Sequence, residues 1–232
     1  MIKVMFQSIR ESKKKIKDQN TPMHQVQINN NKLYLVSKRI IDIILSLFGI
    51  ILLFPVCIII AFLIKLEDRK GPVIFKQIRV GENGKTFRIY KFRSMITNAE
   101  EIKLLLVNQN EASGPVFKMK QDPRVTKFGR LIRKTSLDEL PQLINVLKGE
   151  MTLVGPRPPL PEEVEKYSSY EMQRLRVTPG LTCYWQVNGR SNISFEQWIE
   201  MDLRYINERN LFLDIKLIYK TIFVLFGSKN AY

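Results

Sequence analysis

A long apolar run lies in the first third of the chain. Residues 43–64 read IILSLFGIILLFPVCIIIAFLI and carry no charged side chain. A helix needs roughly 20 apolar residues to cross the hydrocarbon core of a bilayer, so this run predicts a membrane-embedded helix. We place that helix at 33–66, after a polar, basic leader at 1–32. No small-residue cleavage site follows the run before Lys65, so its removal as a signal peptide is not expected.

The flanks of the run indicate its topology. Basic residues stand on both sides of it, namely Lys13, Lys14, Lys15, Lys17, Lys32, Lys38 and Arg39 before it and Lys65, Arg69, Lys70, Lys76 and Arg79 after it. Because basic flanks stay in the cytoplasm, both ends are expected on that side. Pro55 lies near the middle and removes one backbone donor. The pattern predicts a re-entrant helix that bends at Pro55, with a plain spanning helix as the alternative. Asp42 either pairs with Lys38 and Arg39 or is solvated.

C-terminal to the apolar run, the hydrophobic periodicity is first that of strands and then that of helices. The stretch GPVIFKQIRVGENGKTFRIYKFRSM contains two alternating segments around Asn83-Gly84, which predicts a β-hairpin. Helical patterns follow over 98–110 and in two stretches of 121–150. The C-terminal segment 210–229 separates its apolar residues from Lys216 and Lys220. That segment suits a helix in the membrane interface, and equally a helix packed on a core.

The predicted fold is therefore α+β. It consists of a mainly helical, membrane-associated domain with a re-entrant membrane helix, a small β-hairpin and interfacial amphipathic helices. Residues 67–232 are expected to form one domain on the cytoplasmic side, with the interfacial helix at its C-terminal end.

Two loops present arginines. Prolines at 156, 158, 159 and 161 exclude regular helix and stiffen the backbone around Arg157. Turn signals at Pro179-Gly180 and Asn188-Gly189 frame a short strand-like segment, and Arg190 follows the second turn.

The charge balance predicts an anionic partner. The formal net charge is +15 and the isoelectric point is about 9.8, which suits nucleic acid, an anionic membrane surface or a phosphorylated small molecule. Nucleic acid is not expected, because the basic residues flank a membrane segment and no nucleic-acid-binding motif is present. The two cysteines lie far apart without CxxC spacing, which argues against a disulfide framework or a zinc site.

Two adjacent acids, Asp138 and Glu139, stand in a basic neighbourhood, in KTSLDELPQL. Ser136 and Glu139 have the spacing of a capping box, so the acids could simply cap a helix. If the helix instead begins near Pro141, both acids lie on the turn before it, where free backbone N–H groups bind phosphate. Phosphoryl transfer needs cationic side chains and usually a carboxylate-held metal, and an aspartate can also act as nucleophile. The residues alone leave both alternatives open.

Several motifs in one order resemble a known family. SKRIIDIILSLFGIILLFP, GPVIFKQIRVGENGKTFRIYKFRSM, DPRVTKFGRLIRKTSLDELPQLINVLKGEMTLVGPRPPL and PGLTCYWQVNGRS resemble the monotopic phosphoglycosyl transferases, the bacterial sugar transferases that initiate capsule, exopolysaccharide or O-antigen glycans. The resemblance implies transfer of a sugar 1-phosphate from a UDP-sugar to undecaprenyl phosphate in two steps, with release of UMP and with Mg²⁺ as cofactor. Likeness to exopolysaccharide-initiating members favours galactose or glucose.

The resemblance also implies roles for individual residues. Asp138 is expected to be the nucleophile close to Mg²⁺, and Glu139 is expected to deprotonate the lipid phosphate or hold the metal. The candidates for binding phosphate or uridine are Arg133, Arg157, Arg190, Lys91 and Arg93. The expected location is a bacterial cell membrane, with the catalytic domain on its cytoplasmic face and a homodimer as a further expectation. The alternative function is a non-catalytic, basic membrane adaptor in a polysaccharide assembly complex.

Overall fold

The computed structural model describes residues 25–188 and 193–227. The helices and strands in chain order are α1 Lys32–Glu67, β1 Ile74–Val80, β2 Thr86–Phe92, α2 Ala99–Leu106, α3 Lys127–Lys134, α4 Gln142–Lys148, β3 Thr152–Val154, α5 Pro161–Val164, β4 Gly180–Thr182, α6 Tyr184–Asn188, α7 Phe195–Glu208 and α8 Leu211–Gly227. Four short 3₁₀ turns lie at Glu82–Gly84, Val107–Gln109, Leu137–Glu139 and Glu171–Arg176. The architecture is mixed helix and sheet with helix predominant, as the sequence predicts.

Helix α1 is the membrane element. Within the described ranges it is the one helix long and apolar enough to cross a bilayer, and at 1.5 Å per residue its 36 residues span about 54 Å. Most of its apolar side chains are exposed, including Phe48, Ile51 and Phe62. The helical backbone continues through Pro55 without interruption, and a bend of this continuous helix at Pro55 stays a prediction from the sequence. Proline has a helical φ, so a helix that loses one hydrogen bond can still run on.

The first part of α1 packs on the globular body. Asp42 is buried and accepts from the hydroxyl of Thr152 (2.6 Å) and from the backbone N–H of Leu153 (2.9 Å), both on β3. Arg39 donates to two carbonyls at the end of α4. Lys38 pairs with Asp214 of α8 (2.8 Å). Asp42 is therefore neither solvated nor hydrogen-bonded to its basic neighbours, because β3 offers it two better-placed donors.

The last part of α1 packs on the same body. Ile60 and Ile64 are buried against Phe92 of β2 and Ile132 of α3. Glu67 accepts from the backbone N–H of Phe128, in the first turn of α3. Both ends of the membrane helix thus contact one globular domain, while the apolar side chains between them remain exposed.

The predicted β-hairpin is confirmed. Strands β1 and β2 pair antiparallel, with Ile74 opposite Phe92 and Val80 opposite Thr86. Asn83 (φ 55°) and Gly84 (φ 78°) adopt left-handed conformations in the connecting turn. These are the two residue types that tolerate positive φ best, which is why the Asn-Gly pair marks this turn in the sequence.

A second, parallel pair of strands lies beside the hairpin. Thr152 pairs with Gly180 and Val154 pairs with Thr182. A Cβ atom on Gly180 would lie 2.1 Å from the backbone nitrogen of Gly155, so only glycine allows the two chains to approach this closely. This pairing brings the proline-rich loop and the 177–182 segment together.

The main core forms around α7 and α8. Ile199, Leu203 and Ile206 are buried on one face of α7, with the spacing of an amphipathic helix. Leu217 of α8 joins them, whereas Phe212 on the outward side of α8 is 78% exposed. Helix α8 therefore packs on the core with one face and presents apolar side chains with another.

The end of the predicted leader contacts this core. Val26 is buried in it, and its backbone N–H donates to the side chain of Gln173 (2.8 Å). Residues 1–24 lie outside the described part of the chain.

An ion pair is enclosed in the core. Arg174 and Asp202 have fully buried side chains and are bonded to each other. Arg174 also donates to the hydroxyl of Tyr167 (2.8 Å), and its guanidinium lies 4.9 Å from the ring centroid of Trp198. Asp202 is the carboxylate that pairs with this buried cation.

We expect Asp202→Ala to lower the free energy of unfolding by about 3–5 kcal/mol, because it leaves the Arg174 cation buried without its counterion. Glu200→Ala is the matched control, since Glu200 is exposed on the same helix. Denaturant unfolding of the two variants in detergent measures the difference. Equal midpoints for the two variants would contradict the structural role of the pair.

Candidate active site

The two acids lie on a 3₁₀ turn between α3 and α4. The turn covers Leu137–Glu139, and Ser136 before it has a left-handed backbone (φ 55°). The backbone N–H of Glu139 donates to the backbone carbonyl of Ser136 (3.2 Å), and the Ser136 side chain makes no capping bond. Helix α4 begins at Gln142, directly after Pro141. The capping-box hypothesis is therefore wrong, and the alternative with both acids on the turn before the helix is confirmed.

The turn is fixed to the membrane helix by its apolar residues. Leu137 and Leu140 flank the two acids and pack on the cluster that contains Ile60 and Ile64 of α1. The cluster also contains Phe92 of β2 and Ile132 of α3, so the two leucines join the acidic turn to the same apolar cluster as the membrane helix.

Glu139 is held by two cations from different elements. The Lys91 ammonium, on β2, donates to Glu139 Oε1 at 2.6 Å. The Arg157 guanidinium, in the proline-rich loop, lies 3.6 Å from the same oxygen. The structure therefore brings together Lys91, Glu139 and Arg157 as the sequence analysis expects.

The two carboxyls respond in opposite directions to this environment. Burial raises the pKa of Asp138, and the neighbouring Glu139 charge adds to that effect against the opposing influence of Lys91. Burial also raises the pKa of Glu139, but Lys91 and Arg157 together outweigh it and hold the pKa of Glu139 well below its usual range. Adjacent carboxyls commonly separate in this way, because like charges at one site cannot ionise independently.

A cleft of about 840 Å³ opens in front of the acids. Among the described residues, five cationic and three acidic side chains line it, namely Lys91, Lys118, Lys120, Arg133, Arg157, Glu111, Asp138 and Glu139. The excess of positive charge suits an anionic ligand, and the volume is that of a small-molecule site.

Lys118 is a cleft residue that the sequence analysis missed. Burial, together with the positive charges of Arg157 and Arg133, lowers the pKa of Lys118 to about 8. A cation held near two others is a feature of a site that binds phosphate groups. The only local signal is the alternation of lysines and apolar residues in FKMK, within an irregular stretch between helices.

Aromatic side chains form a continuous surface of the same cleft. The ring centroids of Trp185 and Trp198 lie 4.7 Å apart, and those of Phe195 and Trp198 lie 6.1 Å apart. All three residues line the cleft. Trp185 and Trp198 are partly exposed, whereas Phe195 is buried beneath them; partly exposed aromatic side chains in a cleft bind flat or apolar ligand groups. Trp198 and Phe195 come from α7, far in sequence from the acids, so no local pattern assigns them to the site.

The remaining predicted residues have different positions. Arg133 lines the cleft. Arg93 does not reach it, because its guanidinium binds the Asp68 carboxylate (2.8 Å) and backbone carbonyl (2.7 Å) at the end of α1. Arg190 lies outside the described residues.

The carboxylates available for a metal ion are few. Within 25–188 and 193–227, no group of three or more His, Cys, Asp or Glu side chains could hold a metal. Asp138 and Glu139 alone offer oxygens at the acidic turn. This donor set fits Mg²⁺, which typically takes one or two protein carboxylates and completes its shell with water and substrate phosphates.

Comparisons with known proteins agree with this site. The family model described as bacterial sugar transferase matches residues 33–228. The galactosyl transferase CpsE of Streptococcus agalactiae is 48% identical over 199 residues, which cover 84% of this chain and 43% of the relative. The undecaprenyl-phosphate galactose phosphotransferase of Salmonella typhimurium is 43% identical over 199 residues, which cover 84% of this chain and 41% of the relative. This chain therefore spans less than half the length of these two relatives.

A shorter relative matches almost end to end. The exopolysaccharide production protein ExoY of Sinorhizobium fredii is 37% identical over 201 residues, which cover 85% of this chain and 88% of the relative. Because the family model and this relative both extend over the membrane helix, the acidic turn and the cleft, the chain belongs to the bacterial sugar transferase family.

Proposed function

We propose that this protein transfers a sugar 1-phosphate from a UDP-sugar to undecaprenyl phosphate and releases UMP, as the first membrane step of exopolysaccharide or capsule synthesis. The observation that carries the proposal is the pair Asp138 and Glu139, held among cations in a cleft and fixed to a membrane helix. The names of the Streptococcus and Salmonella relatives favour galactose as the sugar, with glucose as the second candidate.

The first step uses Asp138 as the nucleophile. A carboxylate oxygen of Asp138 attacks the phosphorus that bears the sugar, and the bond from that phosphorus to the bridging oxygen of the diphosphate breaks. UMP leaves with the bridging oxygen. The cations Lys91, Arg133 and Arg157 stabilise the negative charge on the phosphates during this displacement. Asp138 must be ionised to attack; burial raises its pKa to about 6, and the positive charges of Lys91, Arg133 and Arg157 oppose that rise, so the carboxylate predominates at neutral pH.

The second step passes the phosphosugar to the lipid. An oxygen of undecaprenyl phosphate attacks the phosphorus of the aspartyl intermediate, the Asp138–phosphorus bond breaks, and the carboxylate is regenerated. Glu139 remains ionised beside Lys91, and its low pKa makes it a weak proton acceptor, so the role proposed for it is to hold the metal rather than to deprotonate the lipid phosphate. Splitting one transfer into two displacements lowers the barrier of each.

Mg²⁺ is the proposed cofactor, held by Asp138 and Glu139 together with the donor phosphates. It supplies charge neutralisation at the transferring phosphoryl group when bound. The opposite side of the donor is proposed to bind the aromatic surface formed by Trp185, Trp198 and Phe195, where the uracil base can stack.

The membrane helix is proposed to be re-entrant, with the catalytic domain on the cytoplasmic face. Support comes from the contacts of α1, because Asp42 near its beginning and Ile64 near its end both pack on one globular domain. A helix whose two ends are joined to the same domain enters and leaves the bilayer on one side. This arrangement keeps the acids at the level of the lipid headgroups, where a water-soluble donor and a lipid phosphate can meet.

We expect Asp138→Asn to abolish UMP release from the UDP-sugar, because the amide lacks the nucleophilic oxygen. The assay contains the full chain, Mg²⁺ and undecaprenyl phosphate, and scores UMP and UDP separately across a panel of donors. Membrane association must remain unchanged in the variant. Unchanged turnover would support the membrane-adaptor alternative, since asparagine replaces aspartate well in a merely structural turn. Release of UDP would indicate ordinary glycosyl transfer.

Removal of divalent cations with a chelator is expected to stop UMP release, and Mg²⁺ added in excess is expected to restore it. The same treatment should leave the thermal unfolding midpoint almost unchanged, because only two carboxylates of one turn are involved. Full activity in the chelator would contradict the cofactor proposal and leave the nucleophile assignment intact.

Single cysteines at Lys32 and Lys70, in a Cys57→Ser and Cys183→Ser background, test the topology. Both positions are exposed. We expect an impermeant maleimide to label both in inside-out vesicles and neither in intact spheroplasts. A cysteine at Ile51 serves as the buried-in-lipid control. Opposite accessibility of the two flanks would make α1 a spanning helix.

A further inference from the structure

The loop that carries Arg157 has almost no backbone donors of its own. Residues 156, 158, 159 and 161 are prolines and lack an N–H group. A loop of this composition can be fixed to its surroundings only through its carbonyl oxygens and its side chains. The position of Arg157 therefore depends on what donates to those carbonyls.

Four consecutive carbonyls of the loop each accept one hydrogen bond. The donors are the backbone N–H of Gly180 to Pro156 (2.9 Å), the Arg174 guanidinium to Arg157 (3.1 Å), the Arg79 guanidinium to Pro158 (3.1 Å) and the backbone N–H of Val80 to Pro159 (2.9 Å). Two of the four donors are buried arginine side chains, one on each side of the loop.

Arg79 is the less expected of these two. It is 8% exposed, and among the described residues no carboxylate lies within ion-pair distance of it, whereas Arg174 is paired with Asp202. The other nitrogens of its guanidinium donate to Gln77 Oε1, at 3.1 and 2.7 Å. Burial lowers the pKa of Arg79 to about 10, with a further contribution from the Arg157 charge.

Burying a cation without a partner carboxylate costs free energy of folding. The hydrogen bonds of Arg79 are therefore expected to serve a function. Gln77 accepts from two nitrogens of the planar guanidinium and fixes its orientation. The remaining terminal nitrogen then points at the Pro158 carbonyl, one residue after Arg157. Lysine has a single charged nitrogen and cannot reproduce this fork.

We propose that Arg79 is a positioning residue that holds Arg157 against Glu139 and the cleft by donating to the Pro158 carbonyl. Arg79 lines a small space behind the site together with Lys91, Glu139 and Arg157, and does not line the cleft itself. Its effect on the reaction is therefore exerted through Arg157. The inference rests on the proposed function of the cleft as the UDP-sugar site.

The test compares Arg79→Met with Arg88→Met. Methionine keeps most of the side-chain volume and removes the donors, while Arg88 is an exposed arginine on the neighbouring strand, opposite Ile78. We expect Arg79→Met to lower kcat/KM for UMP release roughly 10- to 100-fold, the loss that follows from a misplaced binding group. Arg88→Met should stay within about twofold of the unchanged protein. A normal kcat/KM in Arg79→Met would overturn the inference.

A double-mutant cycle separates positioning from a general structural effect. If Arg79 acts through Arg157, Arg79→Met should cause little further loss in an Arg157→Ala background. Losses that multiply would show that Arg79 acts independently of Arg157 and would overturn the proposal. If Arg79→Met does not fold, Arg79→Lys is used in the same cycle, with the same expected coupling.

Calorimetric binding of UDP to the full chain in detergent gives a readout without turnover. Arg79→Met and Arg157→Ala should weaken UDP binding by similar factors, and the double variant should be no weaker than Arg157→Ala. If the unchanged protein binds UDP but releases no UMP, the proposed function fails. The UDP affinities of the two single variants and the double variant then still decide the role of Arg79. If UMP is released normally and the cycle shows no coupling, the inference fails and the proposed function stands.

Discussion

The site depends on one apolar cluster, in which Leu137 and Leu140 of the acidic turn pack together with Ile60 and Ile64 of α1, Phe92 of β2 and Ile132 of α3. The hydrophobic effect holds the turn with its two acids against the elements that also pack on the membrane helix. Hydrogen bonds from Arg39 to the end of α4 and from Phe128 of α3 to Glu67 join the helices on either side of the turn to α1 as well. Helix α1 therefore has two parts. Its middle exposes apolar side chains that suit contact with lipid, and its buried end packs on the cluster that carries the acidic turn.

The sequence alone predicts a turn or a helix start correctly where a single residue type determines the backbone conformation. Asn83-Gly84 marks the hairpin because few other residues accept two positive φ values in succession. Pro141 marks the start of α4, since proline is tolerated at the beginning of a helix and not in its interior. At Pro55 the helix continues, so a proline by itself does not mark a helix end, and the bend at this residue stays a prediction. Proline weakens a helix locally, and packing at both ends of α1 supports the helical backbone on either side.

Tertiary contacts, which local sequence patterns do not show, determine the partners of several residues and which residues reach the cleft. Lys91 and Arg93 are two residues apart and were assigned one role, but β2 ends at Phe92 and Asp68 binds the Arg93 side chain. Asp42 was compared only with its neighbours in sequence, whereas its partners lie on β3, about 110 positions further on. Lys118 and Trp198 enter the cleft from segments without a recognisable motif. Hydropathy measures how strongly a segment prefers lipid over water, and it cannot show which residues a fold brings together.

The opposite behaviour of the two adjacent carboxyls follows from the fold and supports the roles proposed for them. Lys91 and Arg157 both lie on Glu139, so this residue stays ionised and is already paired. Asp138 is buried without an equivalent partner, and its charged form is therefore the more reactive of the two. A carboxylate whose charge is poorly stabilised in the free protein gains the most stabilisation when it bonds to a phosphoryl group or binds a cation. The nucleophile is thus expected at the acid with the raised pKa, and Glu139 with its two cations serves as the fixed charge beside it.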